Sequence, residues 1–151
     1  MRREDRRIVD AEAWGILERG EHGVLSTVTE DGAPYGVPLN YCVLDGAIYL
    51  HCALEGRKLA CLARAPRVSF CVVGATRVLP QAFSTLYESC IVEGVASEAY
   101  DDEKQAALEG LVRKYAEGLE DEGLGYIDAR RDETRVFRID VLSLTGKARR
   151  A

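Results

Sequence analysis

The sequence predicts an antiparallel β-barrel decorated with helices, in a chain of 151 residues. Six β-rich segments, tight turn signals between most of them and the lack of a strand–helix–strand rhythm lead to this class. Parallel strands need crossover connections of a dozen or more residues, and most links here are too short for them. We therefore expect a single domain over residues 1–151, built on six antiparallel strands.

The first half of the chain alternates turn signals with β-rich segments. Asp10 is expected to cap a helix over Ala11–Arg19, because its carboxylate can accept from the first free N–H groups. Three strands are predicted where β-branched and apolar residues lie between turn residues: Gly23–Thr29, Tyr35–Val43 and Ala47–Cys52. An Asp-Gly pair at positions 45 and 46 predicts a tight hairpin between the last two.

Two helices and three strands are predicted in the second half. A short helix is predicted over Arg57–Arg64, since Pro66 disfavours its continuation. A longer one is predicted over Asp102–Gly118, with Asp101 as its cap and apolar residues at helical spacing. The predicted strands are Arg67–Val73, Ser84–Ser97 and Thr134–Leu144.

Two features interrupt this pattern. Gly74–Phe83 contains a proline and is expected to be a polar loop, and Gly94 is expected to form a bulge in its strand. The acidic, glycine-bearing stretch Leu119–Gly125 follows the long helix, and no element is assigned to it.

Charge is unevenly distributed. The chain carries 20 basic and 25 acidic residues, a net charge of −5, which is the wrong sign for a general nucleic-acid or anionic-membrane binder. Between Glu98 and Glu133 there are 12 acidic and 5 basic residues, whereas His51–Arg77 holds 5 basic residues and one acidic residue. A small positive region on an acidic protein favours a small anionic ligand.

The five cysteines lie within apolar runs, and none belongs to a Cys-x-x-Cys pair. A free cysteine in such a run behaves as a small hydrophobic residue, so no metal site is expected. The longest apolar run has eight residues, too few for a membrane span, and the charged N-terminus does not resemble a signal peptide. These features predict a reduced, cytoplasmic protein.

The start of the predicted helix Arg57–Arg64 breaks a local rule. Arg57 and Lys58 place two cations where the helix dipole is positive, which costs roughly 0.3–1 kcal/mol each. An anion such as phosphate would compensate, since Gly56 allows close approach to the backbone N–H groups and Arg57 can bind oxygens in a bidentate way. The alternative is a solvated turn in which Glu55 supplies the negative charge.

Three strand segments carry further candidate residues. His51 shares a strand face with Tyr49 and ends one turn before the proposed anion site, as either a functional or a structural histidine. Pro38 cannot donate to a sheet ladder, so its strand is an edge strand or borders a flat ligand. Ser84–Ser89 begins its strand with polar residues, which indicates a solvent-exposed end or the lining of a site.

Taken together these segments resemble the FMN-binding split-barrel superfamily, in its pyridoxamine-phosphate-oxidase-like branch with the nitroimidazole-resistance (Nim-type) flavoproteins. The resemblance runs from Met1–Arg6 to Arg138–Ala148, and its landmarks are GVLSTVTEDGAPYGVPLNY, DGAIYLHCALEGRKL, APRVSF, FSTLYESCIVEG and LTGKA. It implies a split barrel and a homodimer with two FMN molecules at the subunit interface. FMN, FAD and a deazaflavin are not distinguished by the sequence.

The resemblance also implies roles for individual residues. Arg57 and Lys58, beside Gly56, would hold the FMN phosphate, and His51 would contact the substrate or deliver a proton. The remaining cofactor-binding residues that the resemblance implies lie on three strands. The strand that borders the isoalloxazine contributes Val37, Pro38, Leu39, Asn40 and Tyr41. The strand end beside the ring and the ribityl chain contributes Cys52 next to His51, and the strand that closes the site contributes Ser84, Thr85 and Ser89.

One departure bears on activity. The vitamin oxidases carry basic residues along the second strand and an arginine-rich C-terminal segment, whereas this chain has YGVPLNY and ends in TGKARRA. The expected function is therefore an FMN-dependent oxidoreductase that reduces small acceptors such as nitroimidazoles. The alternatives are a non-catalytic flavin-binding or sensor protein, and a haem-binding split barrel with His51 or His22 as axial ligand.

Overall fold

The computed structural model describes residues 3–150, and Met1, Arg2 and Ala151 of the predicted domain and resemblance lie outside it. The described chain contains eight strands: β1 (Arg7–Ile8), β2 (Gly23–Val28), β3 (Pro34–Leu39), β4 (Cys42–Leu44), β5 (Ala47–Cys52), β6 (Arg67–Leu79), β7 (Ser84–Ala99) and β8 (Arg135–Arg149). It also contains four α-helices: α1 (Asp10–Arg19), α2 (Arg57–Arg64), α3 (Asp101–Tyr115) and α4 (Glu120–Arg130).

All strand pairs are antiparallel and form one sheet in the order β3-β2-β6-β7-β8-β5-β4, with β1 paired to the far end of β8. The predicted class, a split barrel with helical decoration, is confirmed. The predicted number of six strands is wrong, because β1 was missed and Tyr35–Val43 forms two strands. None of the helices between residues 3 and 150 has the length and apolar character that a membrane crossing requires.

The boundaries of β5 and α2 match their predictions, because a turn signal and a proline mark them in the sequence. Asp45 and Gly46 both have positive φ angles, 49° and 76°, and link β4 to β5 as the Asp-Gly signal predicted. Ala65 ends α2 immediately before Pro66.

Tyr41 explains the break between β3 and β4. Its side chain is fully buried, its hydroxyl donates to the carbonyl oxygen of Leu17, and its ring packs edge-on against Phe70 at 4.8 Å. The chain therefore passes through the core here, from one terminal strand of the sheet to the other. β3 is an edge strand, as Pro38 indicated.

The predicted loop at Gly74–Phe83 is wrong. β6 continues to Leu79 after a register shift between Val73 and Thr76, and a short 3₁₀ turn at Pro80–Ala82 leads into β7. The paired ends of β6 and β7 form an arm that extends beyond the barrel core. The polar side chains of this arm stay hydrated. The bulge predicted at Gly94 is confirmed by a register shift between Glu93 and Gly94.

The sequence analysis missed α4. Its first turn holds Glu120, Asp121 and Glu122 and its last turn holds Arg130, which suits the helix dipole. Gly123 permits close packing on α3, since a Cβ there would lie 2.4 Å from the Val112 side chain. Tertiary packing thus outweighs the low helix propensity of glycine.

The predicted capping roles of Asp10 and Asp101 are also wrong. Each is the first residue of its helix, Val9 and Tyr100 occupy the cap positions, and no side chain caps either helix. Both carboxylates still lie in a first turn, where negative charge is favourable. α3 ends at Tyr115 rather than at Gly118.

Two clusters of buried residues define the interior. The larger fills the barrel and includes Leu25, Ile48, Leu50, Phe70, Val92 and Ile139. The smaller lies between β4, β5 and β8 on one side and α3 and α4 on the other, and includes Cys42, Tyr49, Leu108, Leu111, Ile127 and Val136. Because side chains alternate along β5, the face that carries Tyr49 also directs His51 towards the helices.

Candidate functional site

The start of α2 has the backbone geometry of an anion site. Gly56 occupies the cap position with φ 148°, and no side chain caps the helix. The N–H groups of Leu59 and Ala60 donate to the Gly56 carbonyl, which leaves those of Arg57 and Lys58 without a backbone partner. A Cβ at position 56 would meet no atom within 4 Å, so the approach to these N–H groups is open.

The two cations at this helix start have different neighbours. The Arg57 guanidinium lies over the Tyr35 ring at 4.5 Å and borders an open groove of about 750 Å³ along α2. The positive charge of Lys58 acts instead on His51 and Cys52 at the end of β5. Neither cation forms an ion pair with a carboxylate within residues 3–150.

His51 lies at the end of β5, and its ring has no hydrogen-bond partner among the described residues. Part of its surface is open to water, but neighbouring protein atoms cover the rest. This desolvation, followed by the charge of Lys58, lowers the pKa of His51 below its ordinary value. The neutral imidazole is therefore the main form at neutral pH.

Cys52 follows His51 but faces the barrel interior. Its thiol donates to the Arg135 carbonyl oxygen at 3.8 Å, and burial raises the pKa of Cys52. A protonated, hydrogen-bonded thiol is a poor nucleophile.

The residues predicted to border the isoalloxazine do not share one environment. Val37 and Leu39 pack against the barrel core, Pro38 is exposed on the outer sheet face, and Asn40 borders a separate pocket near His22. Tyr41 is buried, and the Tyr115 hydroxyl engages both its N–H and its C=O. In this chain Tyr41 is a core residue.

Ser84, Thr85 and Ser89 lie far from α2 along the sheet. Ser89 pairs with Lys147 near the end of β8, whereas His51 pairs with Val136 near its start. These two positions are eleven residues apart in sequence, which corresponds to about 35 Å along an extended strand. One chain therefore does not bring the two predicted groups together.

An exposed row of side chains crosses the outer face of the sheet, and sequence analysis did not identify it. Val24, Cys71 and Ile91 are cross-strand neighbours, and Pro38 and Thr145 extend the same row. Val24 is 38% exposed and Ile91 is 47% exposed. We call these five residues the outer row. In the sequence, this row could have been recognised from the apolar residues on the outward-facing sides of β2 and β7.

The chain forms a split barrel in which one helix starts with two cations. The family model for pyridoxamine 5'-phosphate oxidase matches residues 9–148, and the chain belongs to that family. No curated protein matched the chain.

Solved structures share the fold at low sequence identity. A conserved hypothetical protein from Mycobacterium tuberculosis superposes with a TM-score of 0.82 and 24% identity, over 97% of this chain and 88% of that one. A candidate 5-nitroimidazole antibiotic resistance protein from Bacteroides thetaiotaomicron gives 0.77 and 23%, over 94% and 86%. An FAD and haem binding protein from Mycobacterium smegmatis gives a TM-score of 0.78 and 17% identity, over 97% and 74%. These similarities support the fold.

Proposed function

We propose that this protein is an FMN-dependent oxidoreductase that transfers electrons from a reduced donor to a small acceptor, with nitroimidazoles as one acceptor class. The observation that carries the proposal is the start of α2, where two cations without carboxylate partners flank unsatisfied N–H groups. Family membership and the flavin-binding proteins among the structural neighbours support it.

The residues at the start of α2 fit a phosphate monoester. Arg57 and Lys58 offer charge-assisted hydrogen bonds, and the two backbone N–H groups add donors in the direction favoured by the helix dipole. Gly56 keeps this approach free of side-chain atoms. When bound, the flavin supplies the redox chemistry, and the protein positions it.

His51 is our candidate for substrate contact or proton delivery. Its imidazole lies at the end of β5, close enough to Lys58 to feel its charge. Among residues 3–150 the ring has no hydrogen-bond partner, so both ring nitrogens are available to a substrate.

We propose that the complete site is built by a homodimer. The two groups of candidate residues lie at opposite ends of β8, so a site that uses both requires a second copy of the chain. The outer row offers apolar surface that a copy related by two-fold symmetry would bury. The partner's strand β7 would then supply the serine and threonine side chains.

The decisive experiment is an absorption spectrum of the full-length protein as purified, with mass identification of the released cofactor. FMN is expected to give two visible flavin bands and the mass of FMN. The mass of FAD would contradict the choice of cofactor, and a Soret band would favour the haem alternative.

Activity is tested on the same preparation. Oxidation of a nicotinamide with an added nitroimidazole acceptor is expected to depend on bound flavin. Flavin retention without turnover, with nicotinamide or any other donor, would favour a binding or sensor protein.

A further inference from the structure

A small cavity lies beside His51, in the second buried cluster rather than in the barrel. Its volume is about 150 Å³, and its walls come from β5, α3 and α4: His51, Leu108, Leu111, Val112, Tyr126 and Ile127. Leu108, Leu111 and Ile127 are buried, whereas Tyr126 is 68% exposed and forms the outer wall.

The polar groups at the edge of this cavity are unequal. Arg130 pairs with Glu133 at 2.8 Å, Arg131 donates to the Asp101 carbonyl at 2.9 Å, and Thr134 donates to the Arg130 carbonyl. Within residues 3–150 the His51 ring has no hydrogen-bond partner, and neither does the hydroxyl of Tyr126 at the outer wall. The cavity therefore suits an uncharged apolar molecule with one polar edge rather than an anion.

Volume limits the molecule further. An apolar cavity of about 150 Å³ holds one benzene-sized ring. Two fused rings would need the walls to move, and both helices are fixed by contacts in the second buried cluster.

We propose that this cavity binds a single aromatic or heteroaromatic ring, with its polar edge towards His51. Tyr126 and Leu108 then determine the size of molecule accepted. That the bound ring is the electron acceptor rests on the proposed function, whereas the binding itself does not.

The test uses the full-length protein, ¹⁵N-labelled, with and without saturating FMN, and two probes: nitrobenzene and 1-nitronaphthalene. Nitrobenzene is expected to shift the amide signals of Leu108, Leu111 and Ile127 saturably, and 1-nitronaphthalene is expected to leave them unchanged. Equal binding of both probes, or shifts confined to other residues, would overturn the proposal.

Two variants sharpen the test. Leu108→Phe fills the cavity and is expected to weaken nitrobenzene binding at least tenfold. Leu124→Phe, on α4 but outside the cavity lining, is its matched control and is expected to change nothing. Tyr126→Ala removes the outer wall and is expected to admit 1-nitronaphthalene, seen as saturable shifts of the amide signals of Leu108, Leu111 and Ile127 with the rest of the spectrum kept.

The outcomes also separate the two proposals. Ring binding in a protein that fails to bind FMN supports the cavity and contradicts the proposed function. FMN binding with no ring binding does the reverse. Nitrobenzene binding by a folded Leu108→Phe variant at wild-type affinity would also overturn the cavity assignment.

Discussion

Two arginines of β8 and the cations at the start of α2 are all positively charged, but within residues 3–150 only these arginines are paired with carboxylates. Arg135 binds both oxygens of Glu98, at 2.8 and 2.5 Å, and Arg138 bridges Glu103 and Asp140 at 3.0 and 2.6 Å. Arg57 and Lys58 have no such partners within the described chain. Paired arginines hold strands and helices together, whereas the unpaired cations at the start of α2 are the ones for which we propose an anionic ligand.

The two regions also affect their neighbours differently. Arg135 lowers the pKa of Glu98, a mutually favourable arrangement. Burial, and after it the positive charge of Lys58, lowers the pKa of His51, because both disfavour a positive charge on the ring. An unfavourable local arrangement without compensation inside the protein is typical of a functional site.

The proposed dimer gives the largest expected effect. Ile91→Asp places a carboxylate in the centre of the outer row, and burying one in each subunit costs several kcal/mol. The variant is expected to be a monomer in analytical ultracentrifugation and to lose bound cofactor as well. Leu119→Asp, at an exposed apolar residue outside the sheet, is the control.

Either of two results would refute this prediction. If the wild-type protein is monomeric at micromolar concentration, the outer row is not a dimer interface. An Ile91→Asp variant that stays dimeric would place the interface elsewhere.

The elements that could be predicted from the sequence are those bounded by strong turn or helix-ending residues. β5 and α2 were predicted with their observed boundaries because an Asp-Gly turn and Pro66 mark them. The β6–β7 arm was missed because Gly74 and Pro80 are typical of loops, although long-range pairing keeps the strand extended. α4 was missed because the packing of Gly123 against Val112 has no local signal.

The candidate site was only partly predictable for a similar reason. The charges at the start of α2 break a rule that is visible in the sequence, so Arg57 and Lys58 could be found without a structure. The separation of Ser89 from His51 depends on the register of β8 with two other strands, which no local pattern gives. The burial of Tyr41 likewise depends on Leu17 and Phe70, both distant in sequence.

Removal of the unpaired cations is expected to release the cofactor. Two charge-assisted hydrogen bonds contribute about 3 kcal/mol together at the low end, so Arg57→Ala with Lys58→Ala should weaken FMN binding about 100-fold. Fluorescence titration of flavin-free protein measures this. Arg67→Ala with Lys104→Ala removes the same charge at positions outside the groove that Arg57 borders and should have little effect. Wild-type FMN affinity in the first double variant would refute the phosphate site.

Replacement of His51 separates catalysis from binding. His51→Gln is expected to keep the flavin but to lower turnover about 100-fold if His51 delivers a proton. Since the imidazolium is the acid, wild-type turnover should rise as pH falls towards the lowered pKa of His51, and the variant should lose this rise. An unchanged pH profile of kcat would make His51 a structural residue.

The smallest effect is expected at a paired arginine. Arg135→Ala leaves Glu98 partly buried without its partner and should lower the free energy of unfolding by about 1 kcal/mol at neutral pH. Arg135 holds the pKa of Glu98 below its ordinary value, so this stabilisation is present above the unfolded-state pKa and is lost as pH falls through the folded one. Chemical denaturation at pH 7 and at pH 3 should therefore show a difference between wild type and variant that shrinks in acid. The affinity for FMN should not change in this variant. If it loses as much flavin as the Arg57 and Lys58 variant, an ion pair with a carboxylate does not distinguish structural cations from those that bind FMN.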